Sequence, residues 1–120
     1  MARILVCDDS AFMRMLLTRV LSNMGHEVVA EAANGNEAVE KYRRYKPDLT
    51  TMDITMPECD GIEAVKRICG KDKKAKIVMV TAIGQQPILR EAIAAGAIDF
   101  IVKPFVAEQV VKTVEGILAK

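Results

Sequence analysis

Tryptophan is missing from the 120 residues, and histidine occurs once, as His26. The three cysteines, Cys7, Cys59 and Cys69, form an odd set with no CxxC pair. Beside a single histidine they argue against a disulfide framework or a zinc site and read as reduced thiols. Charge of one sign is equally scarce: 17 basic and 16 acidic residues leave a formal charge of +1, spread along the chain. Without a basic arm or stripe, nucleic acid is not an expected partner. No apolar run reaches membrane-spanning length, and the opening of one arginine, a very short apolar run and then acids is no signal peptide. No membrane contact is expected, and a cytoplasmic location is. What is present is ordinary for a globular protein, with 51% hydrophobic and 28% charged residues. A chain of this length holds one core, so residues 1–120 are read as one domain.

Apolar runs and amphipathic segments alternate from end to end. RILVC (3–7), EVVAEA (27–32), DLTTMD (48–53), KIVMVT (76–81) and DFIVK (99–103) read as strands. Several are continuous aliphatic runs, as in strands covered on both faces. Glu27 and Glu31 place the second at a sheet edge. Between the strands, Ser10 caps a helix with Met13, Leu16, Leu17, Val20 and Met24 on one stripe, ended by Gly25. Asn34 with Glu37, and Asp60 with Glu63, open the next two helices as capping boxes. A fourth helix runs from about Gln86 to Ala95, with Pro87 in its first turn. The last carries Val110, Val111, Val114, Ile117 and Leu118 on one face. Five βα units predict an α/β fold with an open, parallel, doubly wound sheet.

In such a sheet ligands bind at the C-terminal ends of the strands. Those ends carry Asp8 and Asp9 after the first strand, Asp53 after the third, Thr81 after the fourth and Lys103 after the fifth. Each close carboxylate pair costs on the order of 4 kcal/mol at 4 Å and an effective dielectric near 20. Lys103 offsets one of three negative charges, and either raised pKa values or a divalent cation could relieve the rest. Mg²⁺, which prefers oxygen ligands and keeps several waters, suits such a cluster and completes its shell with phosphate oxygens. A carboxylate beside it can attack phosphorus and become an acyl phosphate. Asp53, alone at the end of a central strand, is the candidate, with Thr81 as donor to a phosphoryl oxygen and Lys103 as charge partner. Asp60 reads as a plain cap, His26 as a surface turn residue, Cys59 as loop filler, and the charges on the helices as solvated faces.

The segments "DDSAFMR", "MDITMPECDG", "TA" after the fourth strand and "FIVKPF" resemble, in order and across the chain, the receiver domain of two-component response regulators. The likeness is strongest to CheY-like chemotaxis regulators, and it also covers "GQQ" at 84–86. It implies a flavodoxin-like sheet of order 2-1-3-4-5 flanked by five helices. It makes Asp53 the acceptor of a phosphoryl group from a CheA-like sensor histidine kinase. It makes Asp9 a direct Mg²⁺ ligand and Asp8 a mainly water-mediated one, joined by Asp53 and the backbone carbonyl of Thr55. Thr81 and Phe100 match a switch pair in which the hydroxyl moves toward the phosphoryl group and the ring turns inward. Lys103 matches the lysine that contacts the phosphoryl group, and its bond to Pro104 is expected to be cis.

The resemblance further implies a signalling protein that catalyses its own phosphorylation and dephosphorylation and is otherwise no enzyme. With no room for an effector domain, its output is a partner protein. That partner is a flagellar-motor switch protein, or an adaptor in an archaeal host, docking on residues 86–118; a phosphatase is a further partner. Cys7 stands where relatives have an aliphatic residue and adds an oxidation risk. Ile83, two residues past Thr81, is expected to slow attacking water. Alternatives are a phosphorelay intermediate or phosphate sink, and a metal-dependent phosphohydrolase with an aspartate nucleophile. The latter family wants DxD where this chain has Asp8-Asp9-Ser10. Flavin binding fails because a phosphate loop would not open with two carboxylates.

Overall fold

Five strands and five helices alternate among the described residues of the computed structural model, which are 1–82 and 86–119, with only the backbone of Gln86. The strands are β1 (Arg3–Cys7), β2 (Glu27–Ala32), β3 (Leu49–Asp53), β4 (Ile77–Ala82) and β5 (Asp99–Lys103). All pair in parallel in the order β2-β1-β3-β4-β5, the order that the resemblance implied. β1, β3 and β4 are central, and nearly all of their residues are buried. β2 lies at one edge with Glu27 and Glu31 exposed, and its register with β1 slips between Ile4 and Leu5.

The helices are α1 (Ala11–Asn23), α2 (Gly35–Tyr45), α3 (Gly61–Lys71), α4 (Gln86–Ala95) and α5 (Ala107–Leu118). Side-chain alternation divides the core into two layers. Leu5, Cys7, Met52, Ile77 and Met79 pack beneath α2, α3 and α4, together with Ala38, Tyr42, Val65, Ile68 and Ala92. Ile4, Val6, Leu49, Val78, Val80 and Ile101 face the other way, against Leu17 and Leu21 of α1 and Val110, Val114 and Ile117 of α5. Burying each such side chain contributes roughly 1.5–3 kcal/mol relative to exposure.

Caps set where the helices begin. Ser10 Oγ accepts from the Met13 amide at 3.2 Å. Asn34 Oδ1 accepts from Glu37 N–H at 2.8 Å, while Glu37 Oε1 accepts from Ala33 N–H, one residue ahead of the cap. Asp60 accepts from Glu63 N–H, but the Glu63 carboxylate turns to Arg67 instead, so only half of that expected box forms.

The fold departs from four expectations. The buried line of α1 is Leu17 and Leu21; Met13, Leu16, Val20 and Met24 flank it and are only partly covered. Val111 and Leu118 likewise lie at the margin of the α5 face. Cys59 is no loop filler: it is buried in the core, and its carbonyl accepts the Gly35 amide at 2.8 Å, which docks the start of α2 on the β3–α3 loop. His26 is half-buried, and its Nδ1 accepts the Ala2 amide at 3.0 Å.

Candidate functional site

Strand register explains which strand-end groups converge. Asp53 continues the alternation of Leu49 and Thr51, Asp8 that of Ile4 and Val6, and Lys103 that of Ile101, so all three start from the same sheet face. Asp9 falls on the opposite parity and is exposed, whereas Asp8 and Asp53 are buried. One carboxylate oxygen from each of Asp8, Asp9 and Asp53 lies within 4.8 Å of the others. Lys103 Nζ reaches across from β5 to Asp8 Oδ2 at 2.9 Å and to Asp53 Oδ1 at 3.5 Å. The second oxygen of Asp8 accepts from Ser10 N–H at 2.9 Å, so the residue that caps α1 also orients the acid before it.

The electrostatics follow from that crowding. Burial, then the charge of Asp8 and to a smaller extent that of Asp9, raises the Asp53 pKa to about 6, against the opposing pull of Lys103. Burial acts to lower the Lys103 pKa, but its hydrogen bond to Asp8 and the charges of Asp53 and Asp8 outweigh this and raise it. Three carboxylates against one ammonium leave a donor set that is all oxygen and formally −2. That is the chemistry of a hard divalent cation, and Asp8, Asp9 and Asp53 are the side chains that could hold one.

Thr81, the fifth residue of β4, is buried, with Oγ1 3.5 Å from the Ala82 carbonyl. In the β4–β5 register Phe100 sits beside Met79 and Val102 beside Thr81, so Thr81 and Phe100 share a sheet face. Phe100 is 42% exposed. Thr55 is exposed, two residues past Asp53 in the β3–α3 loop. The Lys103–Pro104 bond is cis. Ile83 lies outside the described residues, as do Gly84 and Gln85 of the GQQ segment. The oxidation expected at Cys7 finds no support: the thiol is buried, and burial pushes its pKa up, which keeps it from the reactive thiolate form.

Gly61 was not singled out from the sequence, yet it shapes the site. Its amide donates to the Ile54 carbonyl at 2.8 Å, and a Cβ there would fall 2.0 Å from the Asp53 carbonyl oxygen. The glycine directly after the Asp60 cap was the available signal, since glycine admits a close backbone approach.

The response regulator receiver domain model matches residues 4–115. The chain is 56% identical over 110 residues to the chemotaxis protein CheY of Thermotoga maritima, covering 92% of each. It is 57% identical over 112 residues to the CheY of Bacillus subtilis, covering 93% of each. Among solved structures, the CheX-CheY-BeF3-Mg²⁺ complex of Borrelia burgdorferi superposes with a TM-score of 0.94 at 36% identity, covering 98% of this chain and 90% of that one. With its strand order, its cluster of acids at the strand ends and these likenesses, the chain belongs to the response regulator receiver domain family and is of the CheY type.

Proposed function

We propose that this protein is a response regulator that accepts a phosphoryl group on Asp53 in a Mg²⁺-dependent reaction. The convergence of Asp8, Asp9 and Asp53 beside Lys103 is the observation that carries the reading. Asp9, Asp53 and the Thr55 carbonyl would hold the metal, with Asp8 acting mainly through water. Bound there, Mg²⁺ supplies positive charge that offsets the carboxylates and attracts the phosphate oxygens of the donor.

With a pKa near 6, Asp53 is largely ionised at neutral pH and is more basic than an ordinary aspartate. Its oxygen attacks phosphorus, the bond from phosphorus to the donor breaks, and the leaving group departs with that electron pair, leaving an acyl phosphate on Asp53. Lys103 faces the new charge, and Thr81 donates its hydroxyl to a phosphoryl oxygen. As Thr81 moves toward the phosphoryl group, Phe100 turns inward on the face they share, and the surface of α4, β5 and α5 changes. A full swing from 1:99 to 99:1 would take about 5.5 kcal/mol, so a partial population shift is the working picture.

The phosphodonor in this reading is a CheA-like histidine kinase. The output partner is the flagellar-motor switch, or an adaptor in an archaeon, and a phosphatase ends the signal. The setting is the cytoplasm; among the described residues no helix is long and apolar enough to cross a membrane. No other enzymatic activity is proposed.

Incubation with acetyl phosphate, with and without Mg²⁺, followed by peptide mapping, tests the reading. One phosphoryl group on Asp53, only with Mg²⁺ and absent in Asp53→Asn, is expected. Sustained turnover of phosphomonoesters would point to the phosphohydrolase alternative instead. Labelling at another residue, or labelling independent of Mg²⁺, would defeat the proposal.

A further inference from the structure

Arg14, in the first turns of α1, belongs by sequence to the solvated charges, and the phosphoryl chemistry does not use it. Its side chain is nevertheless only 18% exposed. Nη1 donates to the backbone carbonyl of Asp8 at 2.7 Å, and Nε donates to Glu31 Oε1 on β2 at 2.8 Å. Glu31 is itself tied down, because its backbone carbonyl accepts from the ammonium of Lys41 on α2.

Consider what this does to Asp8. Its amide donates to the Ala32 carbonyl at 2.9 Å, one carboxylate oxygen accepts from Ser10 and the other from Lys103. The carbonyl is its remaining polar group, and Arg14 holds it. That carbonyl lies in the peptide plane joining Asp8 to Asp9. The Asp9 side chain is exposed and has no hydrogen-bond partner among the described residues, so its aim depends on that plane. We infer that Arg14 is a positioning residue for the metal site. Locked by Glu31, its planar fork fixes the Asp8–Asp9 peptide and thereby points the Asp9 carboxylate at Asp53. A guanidinium suits this role because it offers two donors in a rigid plane, which a lysine ammonium does not.

Charge and geometry act in opposite directions here, which makes the inference testable. As a positive charge near a cation site, Arg14 opposes magnesium, so its removal would by charge alone tighten binding. Residues that orient metal ligands typically contribute roughly 10–100-fold in affinity, so removal of the fork should instead weaken it.

The inference rests on the magnesium reading above, and the experiment separates the two. Mg²⁺ is titrated calorimetrically at fixed ionic strength into wild type, Arg14→Lys, Arg14→Met, Glu31→Ala and the Arg14→Met/Glu31→Ala double variant. Wild type that takes up no Mg²⁺ defeats the reading of the site itself. If wild type binds, about tenfold weaker binding is expected in Arg14→Met, at least as large a loss in Arg14→Lys, which loses the fork without the relief of charge, and a smaller loss in Glu31→Ala that adds nothing in the double variant. Unchanged affinity in Arg14→Lys with tighter binding in Arg14→Met overturns the inference and leaves only the charge. Should Arg14→Met fail to fold, Arg14→Lys decides, since it keeps the charge and loses the fork. Kinetics give a second readout: in acetyl phosphate labelling the half-saturating Mg²⁺ concentration should rise while the rate at saturating Mg²⁺ stays within about twofold of wild type. A lowered plateau at unchanged half-saturation contradicts positioning through the metal site.

Discussion

At Asp53 the folded chain carries an electrostatic cost that the unfolded chain does not. Raising its pKa from 3.8 to about 6 means that the native state holds this proton more tightly than the unfolded state. The stabilisation is fully present below pH 4 and is lost as pH rises through 6, an effect on the order of 3 kcal/mol at neutral pH. Metal-free Asp53→Asn should therefore be more stable than wild type at pH 7 by about 2–3 kcal/mol, with the gap closing toward pH 4. Urea unfolding of both proteins across that range checks this, and a gap that does not change with pH would contradict it. A second residue-scale cost lies two positions earlier. Among the described residues the buried Thr51 hydroxyl has no hydrogen-bond partner, which costs roughly 1–3 kcal/mol. Thr51→Val, close in shape, should raise stability by about 1 kcal/mol in the same assay.

At this scale the strand-end positions of Asp8, Asp9, Asp53, Thr81 and Lys103 were legible in the sequence, because the end of a buried parallel strand can be read from its pattern, and the structure gathers the three acids and Lys103. Arg14 and Cys59 were not. Whether a helical arginine is solvated or clamped, or a loop cysteine buried, depends on which distant backbone comes to lie against it, and periodicity carries no such information.

At the scale of elements, the helix starts follow from the caps in the sequence. Replacing Asp60 by Ala should cost about 1 kcal/mol through the lost bond to Glu63 N–H, with little effect on the site. Its neighbour behaves differently. Gly61→Ala forces a methyl group against the Asp53 carbonyl, so β3 or α3 must shift. A stability loss of about 1–3 kcal/mol is expected, together with slower phosphoryl labelling of Asp53 that added Mg²⁺ does not restore. Thermal unfolding and the labelling assay distinguish the two variants, and a Gly61→Ala protein labelled at the wild-type rate would contradict the contact. The existence and type of every element were legible, since central β1 and β4 read as aliphatic runs, β3 carries the β-branched Thr50 and Thr51 between Leu49 and Met52, and each intervening segment has helical period. Stripe edges were less so: Leu21 of α1 is buried while Met13 and Val20 are only flanking, because the tilt of a helix on the sheet chooses the centre of its stripe.

For the whole molecule, strand order was borrowed from the likeness to receivers, since the local pattern of five βα units is compatible with several orders. That order makes β1, β3 and β4 central and brings the acids of β1 and β3 side by side. It also sets Phe100 on the exposed edge strand beside buried Thr81's face, the arrangement from which the proposed switch would start. Fluorine-labelled phenylalanine should show this: of Phe12, Phe100 and Phe105, the Phe100 resonance should move most on Asp53 phosphorylation, by a population-weighted shift. A Phe100 signal that stays fixed in fully labelled protein would contradict the coupling. Beneath that switch lies one physical premise, that the fold forces three carboxylates and an ammonium into a shared pocket. Carbon-13 NMR titration of the aspartate side-chain carboxyls in metal-free protein reads it directly. Asp53 should titrate near pH 6 and respond first when Mg²⁺ is added. A titration at the ordinary aspartate value, with no response to Mg²⁺, would contradict it.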